Sequence, residues 1–135
     1  ALFVVFESGL QMLADNPTLY YRNDDCTRFI SSVPLLWDDT RVLSARLGDH
    51  IVVAKRNADR WFLGGITGER KEAFEAEFTL DFLPEGQTFT LTSFEDGINA
   101  DRQAMHYTKS SQQVRKGDTI KVRMVRNGGY AATIE

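Results

Sequence analysis

Three adjacent carboxylate pairs, Asp24-Asp25, Asp38-Asp39 and Glu95-Asp96, and one isolated acid, Glu7, are the residues best suited to chemistry in this chain. Cleaving a glycosidic bond takes one carboxyl group to donate a proton and a second to act as base or nucleophile, roughly 5–10 Å away. Neighbours in sequence point in different directions, so adjacency does not supply that geometry. Asp24 or Asp25 reads as a helix cap, and Glu95-Asp96 as an exposed turn. Glu7 interrupts an apolar helix. A buried glutamate must be paired or raise its pKa, so Glu7 is either functional or matched by a partner in a missing part of the protein, and the second reading is preferred. An enzyme built on Glu7 with Asp38 or Asp39 would need those carboxyls facing across an open cleft.

The other reactive side chains form no recognisable machinery. His50 and His106 are the only histidines, lie far apart, and have no flanking Cys or carboxylate spacing that resembles a metal motif; each reads as a strand-surface or rim residue. Cys26 sits on the apolar face of a helical pattern and reads as a small buried hydrophobe. A single cysteine excludes an intrachain disulfide and a multi-cysteine zinc site. No serine stands in a nucleophile elbow, and no glycine-rich phosphate loop is present. Trp37, Trp61, Phe62, Tyr107 and Tyr130 could form a sugar platform. In a strand Trp61 and Phe62 must point to opposite faces, so one can be core while the other covers something outside it. Trp37 and Trp61 are the candidate sugar or interface contacts. No catalytic, cofactor or metal residue is assigned.

Two regimes of hydrophobic period position these residues, and they change near Thr40. Leu2, Val5, Phe6, Leu10 and Leu13 are spaced by three and four and predict one helix, with Phe3 and Val4 adding apolar surface on its other side. Asp15-Asn16-Pro17 stops it. A second short helix follows, carrying Cys26, Phe29, Ile30 and Val33 on one face and ended by Pro34. Beyond Thr40 the period is two. Segments 50–56 and 61–67 read as strands joined by a turn at Asn57-Ala58-Asp59. Residues 74–82 alternate cleanly; Phe89, Leu91 and Ser93 share a face, as do Ile120, Val122 and Met124. Asn127-Gly128-Gly129 predicts a tight hairpin into 130–134. Gly64-Gly65 inside a strand predicts a bulge or a close backbone approach. Residues 97–105 are polar and aperiodic, and read as a loop. The fold expected is mainly β: an antiparallel, Greek-key-like β-sandwich preceded by two short α-helices.

Composition narrows the classes. The chain has 135 residues, 42% hydrophobic and 26% charged, values suited to one compact domain and not to disorder. A net charge of -3 gives no electrostatic reason to bind nucleic acid. Apolar runs are too short for a membrane helix, so neither nucleic acid nor membrane is expected as a partner. The chain opens inside an apolar segment without an initiator Met or a leader, and reads as a fragment of a longer protein.

Several strings together are specific: Phe-Glu-Ser-Gly-Leu-Gln-Met-Leu-Ala-Asp (6–15), Pro-Leu-Leu-Trp-Asp-Asp-Thr (34–40), His-Ile-Val-Val-Ala-Lys-Arg (50–56), Arg-Trp-Phe-Leu-Gly-Gly-Ile-Thr (60–67), Leu-Asp-Phe-Leu-Pro-Glu-Gly (80–86) and Phe-Glu-Asp-Gly-Ile-Asn-Ala-Asp (94–101). Their order and spacing resemble the C-terminal end of the family 97 glycoside hydrolases, exo-acting α-glucosidases and α-galactosidases. The resemblance implies a parent with an N-terminal β-sandwich, a central (β/α)8 catalytic barrel and a C-terminal β-sandwich. Residues 1–39 would be the helical remnant of the barrel and 40–135 the C-terminal sandwich, associated with oligomerisation and with buttressing the barrel. The family's catalytic carboxylates and calcium-binding glutamates lie upstream of the matched segment, so none transfers to a residue here. Calcium is expected only in the parent's catalytic domain, and export to the periplasm is what the family suggests.

The expectation is therefore a non-catalytic C-terminal fragment of an α-glycosidase, with α-glucosidase preferred. Its partners would be the parent's barrel and a second copy, and α-linked glucosides or galactosides would be the parent's substrates. The apolar faces of residues 1–13 would pack against barrel elements, leaving on the order of several hundred Å² exposed when these are removed. A carbohydrate-binding sandwich using Trp37 or Trp61 is the alternative.

Overall fold

Alternating apolar residues build two walls of one core, and a short helical segment covers the back of the larger wall. The structure, a computed structural model, describes residues 1–8 and 12–135. Among the described residues it contains α1 (Leu2–Val5), α2 (Pro17–Arg22), α3 (Asp24–Ser32), β1 (Asp39–Arg46), β2 (His50–Asn57), β3 (Arg60–Thr67), β4 (Phe74–Thr79), β5 (Phe89–Asp96), β6 (Tyr107–Val114), β7 (Thr119–Met124) and β8 (Gly129–Ile134). A six-stranded sheet runs β1-β2-β3-β8-β5-β6, and β4 and β7 form a separate ribbon. Every pairing is antiparallel.

The sandwich is unequal, six strands against two. Its core takes Val52, Ala54, Trp61, Leu63, Leu91, Tyr130, Ala132 and Ile134 from the large sheet, and Phe74, Ile120, Val122 and Met124 from the ribbon. Each strand contributes every second residue, as the pleat requires. In β1 a bulge between Val42 and Ser44 breaks the register, and Leu43 packs against this core. A second, smaller cluster of Val4, Phe29, Val53, Phe62 and Ala131 lies on the opposite side of the large sheet, under the helices. The molecule thus has three layers: helices, six-stranded sheet, ribbon.

Several sequence expectations need correction. The N-terminal helix is one turn long, because Phe6 is already extended (φ -82°, ψ 141°). Val4, not Leu2 or Phe6, is its buried residue; Leu13 is exposed and Leu10 lies outside the described residues. A third helix, α2, precedes the expected second one. Pro17 occupies its first turn and the Asn16 side chain accepts the Leu19 N–H at 3.1 Å, a start signal. Asp24 and Asp25 fall inside the first turn of α3, whose N-cap is Asn23, so neither aspartate caps it. Val33 is extended ahead of Pro34, as expected.

The largest correction concerns Asn127-Gly128-Gly129, which is no hairpin. β7 pairs with β4 in the ribbon, whereas β8 inserts between β3 and β5 in the large sheet. Both segments are apolar on one face and both bury it, but on opposite walls of the same core, so the turn must carry the chain across. Asp96 anchors that crossing: its carboxylate accepts the N–H of Val125 at 2.8 Å and of Gly129 at 3.2 Å. Thr67 Oγ1 donates to the Val125 carbonyl at 2.6 Å and accepts from the Gly128 N–H at 3.0 Å. Asp96 is therefore a structural acceptor and not part of an exposed turn.

Gly64-Gly65 marks close approach and not a bulge. A Cβ on Gly64 would meet Val4 Cβ at 2.8 Å, and one on Gly65 would meet Met124 Sδ at 3.0 Å. One glycine admits the helical layer and its neighbour admits the ribbon.

Candidate functional site

The helical layer begins with the seat that Gly64 opens for α1. Val4 is 0% exposed there. Phe29 of α3 stands edge-on to Phe62 at 6.5 Å and to Phe94 at 5.4 Å, and Trp37 stands edge-on to Phe62 at 5.5 Å. Such edge contacts suit the ring quadrupole and add to area burial. The layer covers the sheet incompletely and is itself apolar outside: Leu2, Phe6, Met12, Tyr21, Leu35 and Leu36 are all exposed. Beside it lies an open groove of about 580 Å³ lined in part by Ala45, Leu47, Ile51 and Ile66. Ile51 also packs against the Val4–Phe29–Phe62 cluster and joins the groove to the helical layer. Val42 and Ala45 pair with Val53 and Ile51, so they extend the same face. An exposed apolar surface of this extent marks an interaction site.

Lys55 lies beneath this layer and reverses the expectation for Glu7. Lys55 is 2% exposed, whereas the Glu7 side chain is 70% exposed. The ammonium reaches Glu7 Oε1 at 3.3 Å and the Val5 carbonyl at 3.5 Å, and lies 5.4 Å from the Trp37 ring centroid. The buried charge belongs to the lysine, and Glu7 is its solvent-side partner. Trp37 is half-buried, with one part of its ring given to Phe62 and another to Lys55. Trp61 is 3% exposed and packs between the sheets, 4.4 Å from Phe82. The alternation of Trp61 and Phe62 holds, but both faces are covered, so neither ring is a platform; Trp61 cannot contact a sugar from inside the core.

One Ser-His-Asp chain was not anticipated. His50 Nδ1 lies 2.8 Å from Asp49 Oδ2, and its Nε2 lies 2.7 Å from Ser44 Oγ. A carboxylate only accepts, so Nδ1 donates to Asp49, and the neutral ring then accepts from Ser44 through Nε2. Arg70 Nη1 meets the other Asp49 oxygen at 2.5 Å. The hydrogen bond from His50, with Arg70 beside it, holds the Asp49 carboxyl below its ordinary range. This order of groups can activate a serine, yet the surroundings cannot use it. The His50 side chain is 10% exposed and its ring packs on Phe74 at 4.3 Å. Nearby backbone donors are committed, Asp49 N–H to Arg46 and Gly68 N–H to Asp49, so no oxyanion hole forms from them. The chain ties the β1–β2 hairpin to the loop after β3. Its sequence signal was the Asp-His step at a hairpin turn, with Ser44 across the ladder.

The remaining acids are dispersed. Asp38 accepts the Ala58 N–H at 2.7 Å, Asp39 pairs with Arg41, Asp24 with Arg28, and Asp25 with Lys109. Glu95 accepts from Ser93 at 2.9 Å. Cys26 is half-buried beside Tyr107, whose hydroxyl pKa rises through its hydrogen bond to Cys26 and then through burial. Burial also pushes the Tyr130 phenol up. His106 Nδ1 receives the Asn99 N–H at 3.4 Å on the loop after β5. Among the described residues no group of three or more His, Cys, Asp or Glu could hold a metal ion, and no helix is long and apolar enough to cross a membrane.

Comparison with known proteins agrees with this picture. The profile of the family described as "Glycosyl-hydrolase 97 C-terminal, oligomerisation" matches residues 36–135. A retaining alpha-galactosidase of Bacteroides thetaiotaomicron is 38% identical over 135 residues, covering 100% of this chain and 20% of that protein. A probable retaining alpha-galactosidase of Streptomyces bingchenggensis is 32% identical over 131 residues, covering 97% of this chain and 19% of that protein. A glycoside hydrolase family 97 enzyme of Pseudoalteromonas sp. strain K8, solved in complex with panose, superposes with a TM-score of 0.92 at 31% identity, over 99% of this chain and 21% of that one. The chain spans about a fifth of the length of the relatives it matches.

Proposed function

Because the chain belongs to the glycosyl-hydrolase 97 C-terminal, oligomerisation family, we propose that it is the non-catalytic C-terminal part of an α-glycosidase, which supports the catalytic barrel and holds subunits together. The carrying observation is the apolar outer surface of the helical layer, joined to the groove at Ile51, on a sheet whose other face carries the core shared with the ribbon. Residues 1–39 are assigned to the end of the barrel and 40–135 to the sandwich, so the barrel is the partner proposed for that surface. Bond cleavage is assigned to carboxylates outside this chain: the acids singled out in the sequence, Glu7, Asp24, Asp25, Asp38, Asp39, Glu95 and Asp96, are each tied to a different structural partner. A calcium ion in the parent's catalytic domain stays part of the proposal, by resemblance to the family.

The sequence reading preferred an α-glucosidase. The two relatives above are named as α-galactosidases, and we therefore assign the parent to α-galactosides, with α-glucosides as the other member of the class. Export to the periplasm remains part of the proposal. The sandwich as a sugar-binding module is disfavoured by the packing of both tryptophans.

The chain alone should not hydrolyse 4-nitrophenyl α-galactoside or α-glucoside. Turnover that disappears on substituting Glu7 or Asp38 would overturn the assignment. Titration calorimetry with maltooligosaccharides or galactosides should give no heat at millimolar ligand; saturable heat lost in Trp37→Ala would restore the binding-module reading.

A further inference from the structure

The large sheet has two free edges, and they are built differently. β1 carries Asp39, Arg41 and Arg46 and is interrupted by the bulge between Val42 and Ser44. Charges and bulges are the usual devices that prevent an edge from pairing with another chain. The ribbon is charged along its outer face, with Glu75–Arg123 and Glu77–Lys121 pairs. β6 has neither protection. It pairs with β5 in unbroken register over eight residues, seven of them exposed. Its sequence, Tyr-Thr-Lys-Ser-Ser-Gln-Gln-Val, contains no proline and one charge, Lys109, already paired with Asp25 at 2.6 Å. Exposed Ile98, Met105 and Tyr107 flank its start.

We propose that β6 is the subunit edge: it pairs antiparallel with β6 of a second copy, joining two six-stranded sheets into one. This rests on the reading that the domain oligomerises and says where. A second copy, and not a foreign strand, fits because the edge is self-complementary. A two-fold axis that makes strands antiparallel runs perpendicular to the sheet and keeps each side chain on its own face, so it must pass through a residue and not between two. Axes through Ser110 or Ser111 each leave seven of the eight strand residues paired (107–113 or 108–114). An axis through 109 would set Lys109 against itself, and one through 112 would set it against Arg115. The two registers of greatest overlap are therefore those in which the strand's charge meets Ser111 or Gln113. Opposed like charges destabilise a ladder, and opposite charges favour it.

That geometry gives a test on sign. Ser111 and Gln113 lie on the same face as Lys109, pairing with Thr92 and Thr90 as Lys109 does with Phe94. In Ser111→Lys/Gln113→Lys, at least two like-charge pairs face each other in either register. In Ser111→Glu/Gln113→Glu, two Glu–Lys109 pairs form in either register, against one like-charge contact at position 111 when the axis passes through it. Sedimentation equilibrium of the chain and both variants should show a dimer for the wild type, at least tenfold weaker association for the lysine variant, and equal or tighter association for the glutamate variant. Thr40→Glu, on the β1 edge, should leave association unchanged. Three results overturn the proposal: equal effects from both signs, no effect from either, or loss of association in Thr40→Glu alone. In each of these the wild type still associates, and oligomerisation by the domain stands. A wild-type chain that stays monomeric at every concentration removes both the edge and the oligomerisation reading.

Discussion

Gly64→Ala isolates the seat of the helical layer. The glycine has no positive φ, so alanine fits the backbone and, without a neighbour, would stabilise by about 0.4–1 kcal/mol through the unfolded chain. The structure predicts the opposite sign. The new methyl carbon would lie 2.8 Å from Val4 Cβ and 3.0 Å from Val4 Cγ1, and Cβ is fixed to the backbone, so α1 itself must move. Either the contact is compressed, at about 1–3 kcal/mol for overpacking, or α1 lifts and Val4 loses its burial, at roughly 1.5–3 kcal/mol. The cheaper route sets the cost, which gives a net destabilisation of about 1–2 kcal/mol. Urea unfolding followed by tryptophan fluorescence would read it as a lower midpoint at unchanged slope. Val4→Gly removes the two nearest opposing atoms and leaves Val5 Cγ2 at 3.1 Å, so in that background Gly64→Ala should lose most of its cost, a coupling on the order of 1 kcal/mol. A stabilising Gly64→Ala in the wild-type background, or the same cost in both, would refute the seating of α1 on β3.

Two further substitutions test the charges beneath and beside that layer. Glu7→Gln should cost at most about 1 kcal/mol by urea unfolding, because an exposed partner is screened by water, whereas Lys55→Met should be neutral or stabilising, because the buried ammonium carries the desolvation cost; a large loss in Lys55→Met would show the ion pair to be a net stabiliser. Asp49 has a lowered pKa, so its contribution is complete above the unfolded value of about 4 and is lost as pH falls through the lower folded value. Wild type and Asp49→Asn should therefore differ in Tm at pH 6 and converge as the pH falls through the lowered folded value, and a gap that widens on acidification would reverse the sign.

What could be read from the residues divides along a physical line. Strands buried on one face announced themselves by alternation: Phe89, Leu91 and Ser93, or Ile120, Val122 and Met124, are where a period of two puts them. β6 did not, because an edge strand with seven exposed residues has no apolar face to alternate. Asn127-Gly128-Gly129 carries a true turn signal, with Asn127 at φ 52°, but a turn signal does not name the partners of the flanking strands. The core chose those, through two apolar faces that had to meet across it. Helix 2–5 failed at Phe6 for a related reason: its spacing fitted a helix, but the seat offered by Gly64 takes only Val4 and part of Val5.

The site was less legible than the fold, since it depends on which side of a contact is buried. Glu7 attracted attention as a charge among apolar residues, yet the buried charge is Lys55, which sits in a strand pattern that looked ordinary. The Ser44–His50–Asp49 chain resembles catalytic machinery in its connections and differs in what surrounds it: a ring packed on Phe74 and backbone donors already engaged. Chemistry requires groups that converge on empty space, and Ser44, His50, Asp49 and Arg70 converge on one another. The free surfaces are of two other kinds, an apolar helical face and an unprotected backbone edge, and both are suited to holding protein. They lie on different parts of the large sheet, one over its broad face and one along β6. The barrel and the second subunit proposed as partners would therefore not compete for the same residues.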